Sequence, residues 1–218
     1  MALGATVLAA GAAAAQPAPG WDDAPAMLAA AMAPLDADLR ACLTTPGPRT
    51  ITVIVSRDRD GATVVAMPLP ASVGHRGLTP EERCLLRTVP RATVPPLPPP
   101  LERIAFAHVI GGSAAADPAL ADWRAPATTV AAGLEPVRGA LAACDARPRV
   151  VRLIVDRRRA RTRVWLPAWQ FHAPSGDGST PPRQRKVKAC LTRAIRGVTL
   201  PLLPRTLGDL EVAVPTTP

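Results

Sequence analysis

The chain contains few aromatic residues and almost no lysine. Its 218 residues include no tyrosine, two phenylalanines and four tryptophans, and only two of its 26 basic residues are lysines. No apolar run reaches the roughly 18 residues that a membrane-spanning helix needs, so no transmembrane span is expected. The sequence also lacks a phosphate loop, a dinucleotide-binding fingerprint, a Gly-x-Ser-x-Gly elbow and a His-Glu-x-x-His motif. These absences leave no catalytic, cofactor-binding or metal-binding residue to name.

Residue types that often carry catalysis are scattered here. His75, His108 and His172 have no partner at metal-ligand spacing, and His108 falls in a predicted strand, where a structural role is expected. Asp58 and Asp60 flank a predicted turn and are interpreted as turn formers rather than an acid–base pair. We therefore expect no enzyme activity, with a hydrolase that lacks a recognisable motif as the catalytic alternative.

The N-terminal segment is short and apolar and ends in small side chains. An Ala-x-Ala site before Gln16 is typical of secretory cleavage, although the basic residues that usually open such a segment are absent. We interpret residues 1–15 as a signal peptide, with a disordered alanine-rich tail as the alternative. The protein is therefore expected to be periplasmic or secreted, and residues 16–33 are expected to form a linker.

The chain does contain an internal repeat. Residues 52–59 (Thr-Val-Ile-Val-Ser-Arg-Asp-Arg) align with residues 152–159 (Arg-Leu-Ile-Val-Asp-Arg-Arg-Arg), and the flanking segments align at offsets of 102 and 106 residues. Offsets that differ only through loop lengths indicate duplication of one structural unit. We predict copy 1 at residues 34–110, a linker at residues 111–133 and copy 2 at residues 134–218. Each copy contains two cysteines: Cys42 and Cys84 in copy 1, and Cys144 and Cys190 in copy 2.

Each copy is predicted to fold in the order α-β-β-α-β. Apolar residues at helical spacing lead to the first cysteine, and strands with a period of two follow it. Asp60-Gly61 predicts a two-residue hairpin turn in copy 1. Thr79-Pro-Glu-Glu82 predicts a helix start with an N-cap, a first-turn proline and a capping-box glutamate. The expected fold class is α+β, with two tandem domains that are each a small antiparallel sheet packed by two helices.

The duplication also predicts the disulfides. Four cysteines allow three pairings, and equivalence of the copies selects Cys42–Cys84 and Cys144–Cys190. Each bond would tie the first helix of a copy to its second helix and constrain the unfolded chain by about 4 kcal/mol in the loop-entropy model. Reduced thiols or a metal site are the alternatives, although the close cysteine pairs of structural zinc sites are missing.

The positive charge is confined to the second half of the chain. Residues 1–112 hold nine arginines and nine acidic residues, whereas residues 113–218 hold 17 basic and eight acidic residues, so they carry the whole net charge of +9. Arginine suits anionic surfaces, and alternate arginines of a hairpin share one face. A solvated charged surface is the alternative. The predicted anion-binding residues are Arg157, Arg158, Arg159, Arg161, Arg163, Arg183, Arg185, Lys186 and Lys188.

The four tryptophans divide into two groups. Trp165 and Trp169 lie near the arginine-rich hairpin in sequence, where an aromatic ring would complement arginine on an anionic surface. Trp21 and Trp123 fall in the two predicted linkers. Each of these either packs onto a domain or marks a contact surface.

The order of these features resembles the TonB C-terminal-like domains that are abundant in myxobacteria, including the gliding-motility type. Copy 2 departs from the pattern with Ala160-Arg161 where Asp-Gly belongs. The resemblance implies an envelope interaction module without catalysis. The matching residues are Leu39, Cys42, Val53 to Val55, Asp60-Gly61, Val64, Cys84 and Val94-Pro95 in copy 1, and Leu141, Cys144, Leu153 to Val155, Val164, Cys190 and Leu200-Pro201 in copy 2.

These observations predict a non-catalytic periplasmic or cell-envelope interaction or scaffolding protein built from two TonB-like modules. Its partner would be an envelope protein or an anionic envelope surface. The alternative is an anion-binding module that uses the basic copy 2 on lipid head groups, lipopolysaccharide or peptidoglycan. Nucleic acid is not expected, because an exported disulfide protein rarely meets it. The sequence makes no prediction of the oligomeric state.

Overall fold

The computed structural model describes residues 21–69, 77–112, 118–144, 150–171 and 182–216, so the predicted signal peptide, His75 and His172 lie outside the described residues. The helices and strands of the first half are α1 (Ala24–Met32), α2 (Asp36–Cys42), β1 (Arg49–Arg57), β2 (Thr63–Ala66), α3 (Pro80–Thr88) and β3 (Leu101–Ile110). Those of the second half are α4 (Pro126–Leu134), α5 (Arg138–Ala143), β4 (Val150–Arg158), β5 (Arg161–Trp165), α6 (Pro182–Ala194) and β6 (Leu207–Pro215).

The described strands form one antiparallel sheet in the order β2-β1-β3-β6-β4-β5. The predicted α+β class is confirmed, but the division into two independent domains is not confirmed. Each copy contributes three strands to a shared sheet instead of forming a sheet of its own, because the last strands of the two copies, β3 and β6, pair with each other. That pairing satisfies backbone groups that would otherwise lie along two open sheet edges.

One face of the sheet carries the core. In β1, Ile51, Val53 and Val55 are buried and alternate with more exposed residues, as the two-residue period of a strand requires. Opposite residues of an antiparallel pair share a face, so the pairing of Ile104 with Leu210 places the core sides of both copies on the same face. Helices of both copies contribute to the single hydrophobic cluster on that face. The other face combines polar and charged side chains with apolar ones, such as Ile54, Val64 and Val109.

Each of the two predicted linkers contains a helix among its described residues. α1 lies within residues 16–33, and α4 begins within residues 111–133 and ends at Leu134. Both helices bury apolar residues at four-residue spacing, Leu28 and Met32 in α1 and Val130 and Leu134 in α4. A helix that buries such a stripe against a sheet is part of the core rather than a spacer.

Two buried tryptophans show that the repeat begins earlier than the sequence alignment suggests. Trp21 retains 1% of its exposure and Trp123 retains none. They stand 102 positions apart, the same offset that relates Cys42 to Cys144. Each copy therefore opens with a tryptophan and an extra helix, and both tryptophans pack into the core.

The helix start predicted in copy 1 is confirmed. The Thr79 hydroxyl accepts a hydrogen bond from the Glu82 backbone N–H at 3.1 Å, and the Thr79 N–H donates to the Glu82 carboxylate at 2.8 Å. This reciprocal pair satisfies two of the unpaired donors at the start of α3. In copy 2, α6 begins at Pro182 and has no acidic residue in its first turn.

The hairpin of copy 1 differs from its prediction. Its tip contains three residues rather than the two of Asp60-Gly61, because the Asp58 N–H donates to the Ala62 carbonyl and closes the loop one residue earlier. Gly61 has a φ of 85°, a conformation that glycine adopts without steric cost. The Asp58 carboxylate accepts hydrogen bonds from the N–H groups of Asp60 and Ala62, which hold the turn together.

The copy 2 hairpin is one residue shorter, and this shifts the alignment of the return strands. Arg57 pairs with Thr63 in copy 1, and Arg157 pairs with Thr162 in copy 2. The predicted match of Val64 with Val164 is therefore wrong. The residue of copy 1 that corresponds to Val164 is the next one along the strand, Val65, and Val65 is buried.

Disulfides join Cys42 to Cys84 and Cys144 to Cys190, the pairing that the duplication predicts. The first bond links the end of α2 to α3, and the second links the residue after α5 to α6. The Cα–Cα distances are 5.5 and 5.6 Å, within the range typical of disulfides. The same helix pair is thus stapled in each copy.

Candidate functional site

An arginine and a threonine of the copy 1 hairpin hold the proline-rich segment that precedes β3. The Arg57 guanidinium donates to the carbonyls of Leu97 and Leu101 at 2.7 and 3.1 Å. The Leu97 N–H in turn donates to the Thr63 hydroxyl at 2.8 Å. A segment with several prolines has few N–H groups for a sheet ladder, so these side chains supply the hydrogen bonds that fix its position.

Copy 2 has the same arrangement, and it gives a structural role to Arg157, one of the predicted anion-binding residues. The Arg157 guanidinium donates to the Leu203 carbonyl at 2.8 Å, and the Leu203 N–H donates to the Thr162 hydroxyl at 2.7 Å. Thr162 itself donates to the Pro201 carbonyl at 2.6 Å. Arg157 is therefore a structural residue that is bound to the backbone. The sequence signal for this role is its alignment with Arg57.

The Arg163 side chain also forms contacts within the protein. Its guanidinium binds both oxygens of the Asp156 carboxylate, at 3.0 and 2.5 Å, and lies 5.4 Å from the centroid of the Trp165 ring. The Trp165 indole N–H donates to the same carboxylate at 2.9 Å. The Arg163 hydrogen bonds hold the pKa of Asp156 below its ordinary range, assisted by the Trp165 N–H. The carboxylate in turn raises the pKa of Arg163.

The remaining hairpin arginines form the arginine tip, which we define as Arg158, Arg159 and Arg161. All three are exposed and, with Ala160, line a depression of about 510 Å³. Within the described part of the chain, their guanidinium groups form no hydrogen bond or salt bridge. The charge of Arg158 does help to lower the pKa of Asp156. The arginine tip is thus a cluster of three cations whose hydrogen-bonding capacity is directed to solvent.

Two features of the arginine tip are locally unfavourable. Arg158 and Arg161 stand directly opposite each other on β4 and β5, where like charges repel. Arg159 has a φ of 57°, the left-handed region that L-residues occupy at a cost. At its own positive-φ position the copy 1 hairpin has Gly61.

The basic residues of α6 form a second group, separate from the tip. Arg183, Arg185 and Lys186 are exposed, and the Lys188 ammonium lies 5.7 Å from the Phe171 ring centroid. β5 contacts the turn that follows the other end of α6, which begins at Ile195. At 1.5 Å per residue, Lys186 lies about 13 Å along the helix from that turn. The nine predicted anion-binding residues therefore do not converge on one point.

The matching surface of copy 1 is not basic. Its hairpin tip has Asp58, Arg59 and Asp60, and α3 begins with two glutamates. The Glu81 carboxylate accepts from the side chain and the backbone N–H of Thr44 at 2.8 and 3.2 Å, and these hydrogen bonds lower its pKa. The two copies therefore share one arrangement of hairpin and helix but differ in the sign of the charge on this surface.

Charges on the open face of the sheet are mostly paired. Arg103 binds Asp209 at 2.5 Å, and Arg152 binds Glu211 at 2.8 Å. Glu102 lies 4.0 Å from Arg152, so a chain of alternating charge crosses the centre of the sheet. These ion pairs leave the arginine tip as the more available cationic group of the sheet.

The other candidate residues give less support for a functional site. His108 is partly buried in β3, and burial lowers its pKa. Its Nε2 has no hydrogen-bond partner among the residues that the structure describes. The described residues contain no group of three potential metal ligands. None of their helices combines the length and apolar character needed to cross a bilayer. The side chain of Trp169 lies outside the described residues.

No protein-family model, no curated protein and no solved structure matches this chain.

Proposed function

We propose that this protein is a non-catalytic interaction protein of the cell envelope, exported to the periplasm and built from two TonB-like modules. After an extra first helix, each copy follows the α-β-β-α-β order on which the TonB-like resemblance rests, and this supports the assignment. Two disulfides are compatible with an exported protein, because such bonds persist in oxidising compartments. In this proposal the shared sheet is a rigid scaffold that presents the exposed surface of copy 2 to a partner.

The partner that the geometry favours is an anionic envelope surface. The observation that carries this proposal is the arginine tip, whose three guanidinium groups stay exposed while Arg157 and Arg163 are engaged within the protein. Exposed cations are attracted by the summed electrostatic potential of an anionic surface. α6 adds further positive charge on the same copy. Lipid head groups, lipopolysaccharide and peptidoglycan all carry suitable anions.

Sedimentation of the disulfide-bonded protein with vesicles tests this function. We expect binding to vesicles that contain anionic lipid and to lipopolysaccharide, with weak binding to neutral vesicles. The affinity should fall steeply as salt rises, because exposed charges are screened over about 8 Å at physiological ionic strength. Equal binding to neutral and anionic vesicles would contradict the proposal and favour a protein partner instead.

A scaffolding role with a protein partner is the second candidate. The open face at β1 and β2 favours it, since Thr52 and Val64 are exposed there and Val64 lines a depression of about 490 Å³ with charged residues of the neighbouring strands. Substitution of Val64 with Glu should then abolish partner capture without affecting vesicle binding. Loss of vesicle binding in that variant would argue against separate surfaces.

A further inference from the structure

We propose that the arginine tip is a phosphate-binding site, in which Arg159 occupies a strained position because it supplies one of three guanidinium groups to a single phosphate. This inference rests on the proposed function and narrows it from any anionic surface to one ligand chemistry. It divides the hairpin into three arginines that bind ligand and two, Arg157 and Arg163, that hold the hairpin.

The first argument is the local electrostatics of the tip. Arg158 and Arg161 face each other across the strands, and Arg159 lies between them in the two-residue turn. No carboxylate of the described residues forms a salt bridge with any of the three. A bound dianion would replace the repulsion between these cations with attraction.

The second argument is the backbone at Arg159. A two-residue hairpin with a positive φ at its first tip residue favours glycine there. Copy 1 places Gly61 at its positive-φ position, whereas copy 2 keeps a long cationic side chain at φ 57°. Strained residues concentrate where a ligand is held, so this outlier points to a role for the Arg159 guanidinium.

The third argument is the match between the site and phosphate. A phosphate monoester carries a charge of about −1.5 to −2 and three strong acceptor oxygens. Guanidinium groups bind such oxygens in pairs, with a planar fork that fits them. The three arginines line one depression of about 510 Å³, so their guanidinium groups are available to the oxygens of the same phosphate. A carboxylate has two oxygens and one charge, and it would leave part of the cluster unpaired.

Phosphate could be free in solution or attached to a lipid, and we propose the lipid head group as its source. The tip ends the hairpin at the β5 edge of the sheet, and its three arginines are exposed there. α6 contributes exposed cations on the same copy, which suits a surface of many head groups better than one small ion.

The test compares vesicles that differ only in the anionic group. The full disulfide-bonded protein is titrated with phosphatidic acid vesicles and with fatty-acid carboxylate vesicles of the same zeta potential. We expect phosphatidic acid to bind at least about fivefold more tightly, the gain of about one well-placed cation contact. Equal affinities would overturn the phosphate inference while leaving the broader anion-binding function in place, and no binding to either would overturn both.

Variants then assign the site. Arg159→Gly should lower phosphatidic acid affinity about fivefold, and Arg158→Ser with Arg161→Ser should lower it further. Arg59→Ser in copy 1 is the matched control and should bind normally. Because Arg159→Gly relieves strain, its melting temperature should rise while binding falls, so misfolding cannot explain the loss. A variant that melts higher and binds unchanged would overturn the proposal.

The source of the phosphate is tested in solution. Inorganic phosphate is added while the arginine side-chain Nε–Hε resonances are followed by NMR. We expect shifts confined to the arginine tip at millimolar phosphate, with weaker affinity than for vesicles. Tight binding of free phosphate that displaces the vesicles would overturn the lipid assignment, and shifts at Arg157 or Arg163 alone would overturn the site.

Discussion

Arg103 and Asp209 hold equivalent positions in the two copies, 106 residues apart, and they form a salt bridge of 2.5 Å where β3 pairs with β6. Identical residues at this position would place like charges close together across the pairing of the two strands. Opposite charges instead favour the pairing of copy 1 with copy 2 and disfavour pairing of like with like. The two copies therefore differ in charge where β3 pairs with β6 and joins the two halves into one sheet.

Charge reversal at this seam gives the first prediction. Arg103→Asp should lower the free energy of unfolding by up to about 1 kcal/mol, because both side chains are partly exposed and the pair is screened. Exchange of the two residues, Arg103→Asp with Asp209→Arg, should recover most of that loss. Urea unfolding measures both variants, and a double variant as unstable as the single one would contradict the pairing.

The division of the hairpin arginines gives the second prediction. Arg157→Met should destabilise the protein by about 1–3 kcal/mol, since it leaves the Leu203 carbonyl without its donor. Arg161→Ser should change stability by no more than about 0.5 kcal/mol, because its side chain is exposed and forms no hydrogen bond or salt bridge with the described residues. Urea unfolding of both variants makes the comparison. Similar losses in the two would remove the distinction between structural and exposed arginines.

The third prediction concerns the two hairpin turns. Arg159→Gly should stabilise the protein by about 1 kcal/mol, because glycine adopts the positive φ at little steric cost. Gly61→Ala should destabilise it by a similar amount for the same reason. Thermal unfolding followed by circular dichroism measures both. A destabilised Arg159→Gly variant would mean that the arginine side chain stabilises the turn through contacts of its own.

The fourth prediction is a pH dependence centred on Asp156. Its pKa lies below the ordinary value of 3.8, so its carboxylate adds stability above that pH and loses the contribution as pH falls through the lower folded value. Asp156→Asn should therefore weaken the protein at pH 7 and flatten the decline in stability below about pH 4. Glu81 contributes in the same direction in copy 1 and remains in the variant. Urea midpoints between pH 2 and 7 test this, and an unchanged profile would contradict it.

Some features that depend on local sequence were predicted correctly. The capping box at Thr79 and Glu82 depends on two residues three positions apart, and it forms as expected. The cysteine pairing follows from equivalence of the copies. The extra helices α1 and α4 were assigned to linkers, because their alanine-rich sequences show little contrast between faces. The 102-residue offset of Trp21 and Trp123 was the signal that could have extended the repeat through them.

Features that depend on tertiary pairing could not be predicted in the same way. Nothing local in β3 or β6 specifies that the two strands pair, since both are ordinary edge strands within their own copy. The role of each hairpin arginine depends on register. With a tip that is one residue shorter, Arg157 pairs with Thr162 on the core side, and Arg163 pairs with Asp156 on the open face. One run of arginines therefore divides between two faces of the sheet.

The shared sheet gives the last prediction, which asks whether the copies unfold together. Val53 and Leu153 are equivalent residues, 100 positions apart, and both are fully buried on the core face. Leu153→Ala in copy 2 should cost about 2–5 kcal/mol. If β3 and β6 make one cooperative unit, amide hydrogen exchange should then accelerate in β1 as much as in β4. Val53→Ala is the reciprocal variant and should accelerate exchange in β4. Acceleration confined to the mutated copy would instead establish two independent domains that are joined only at a sheet edge.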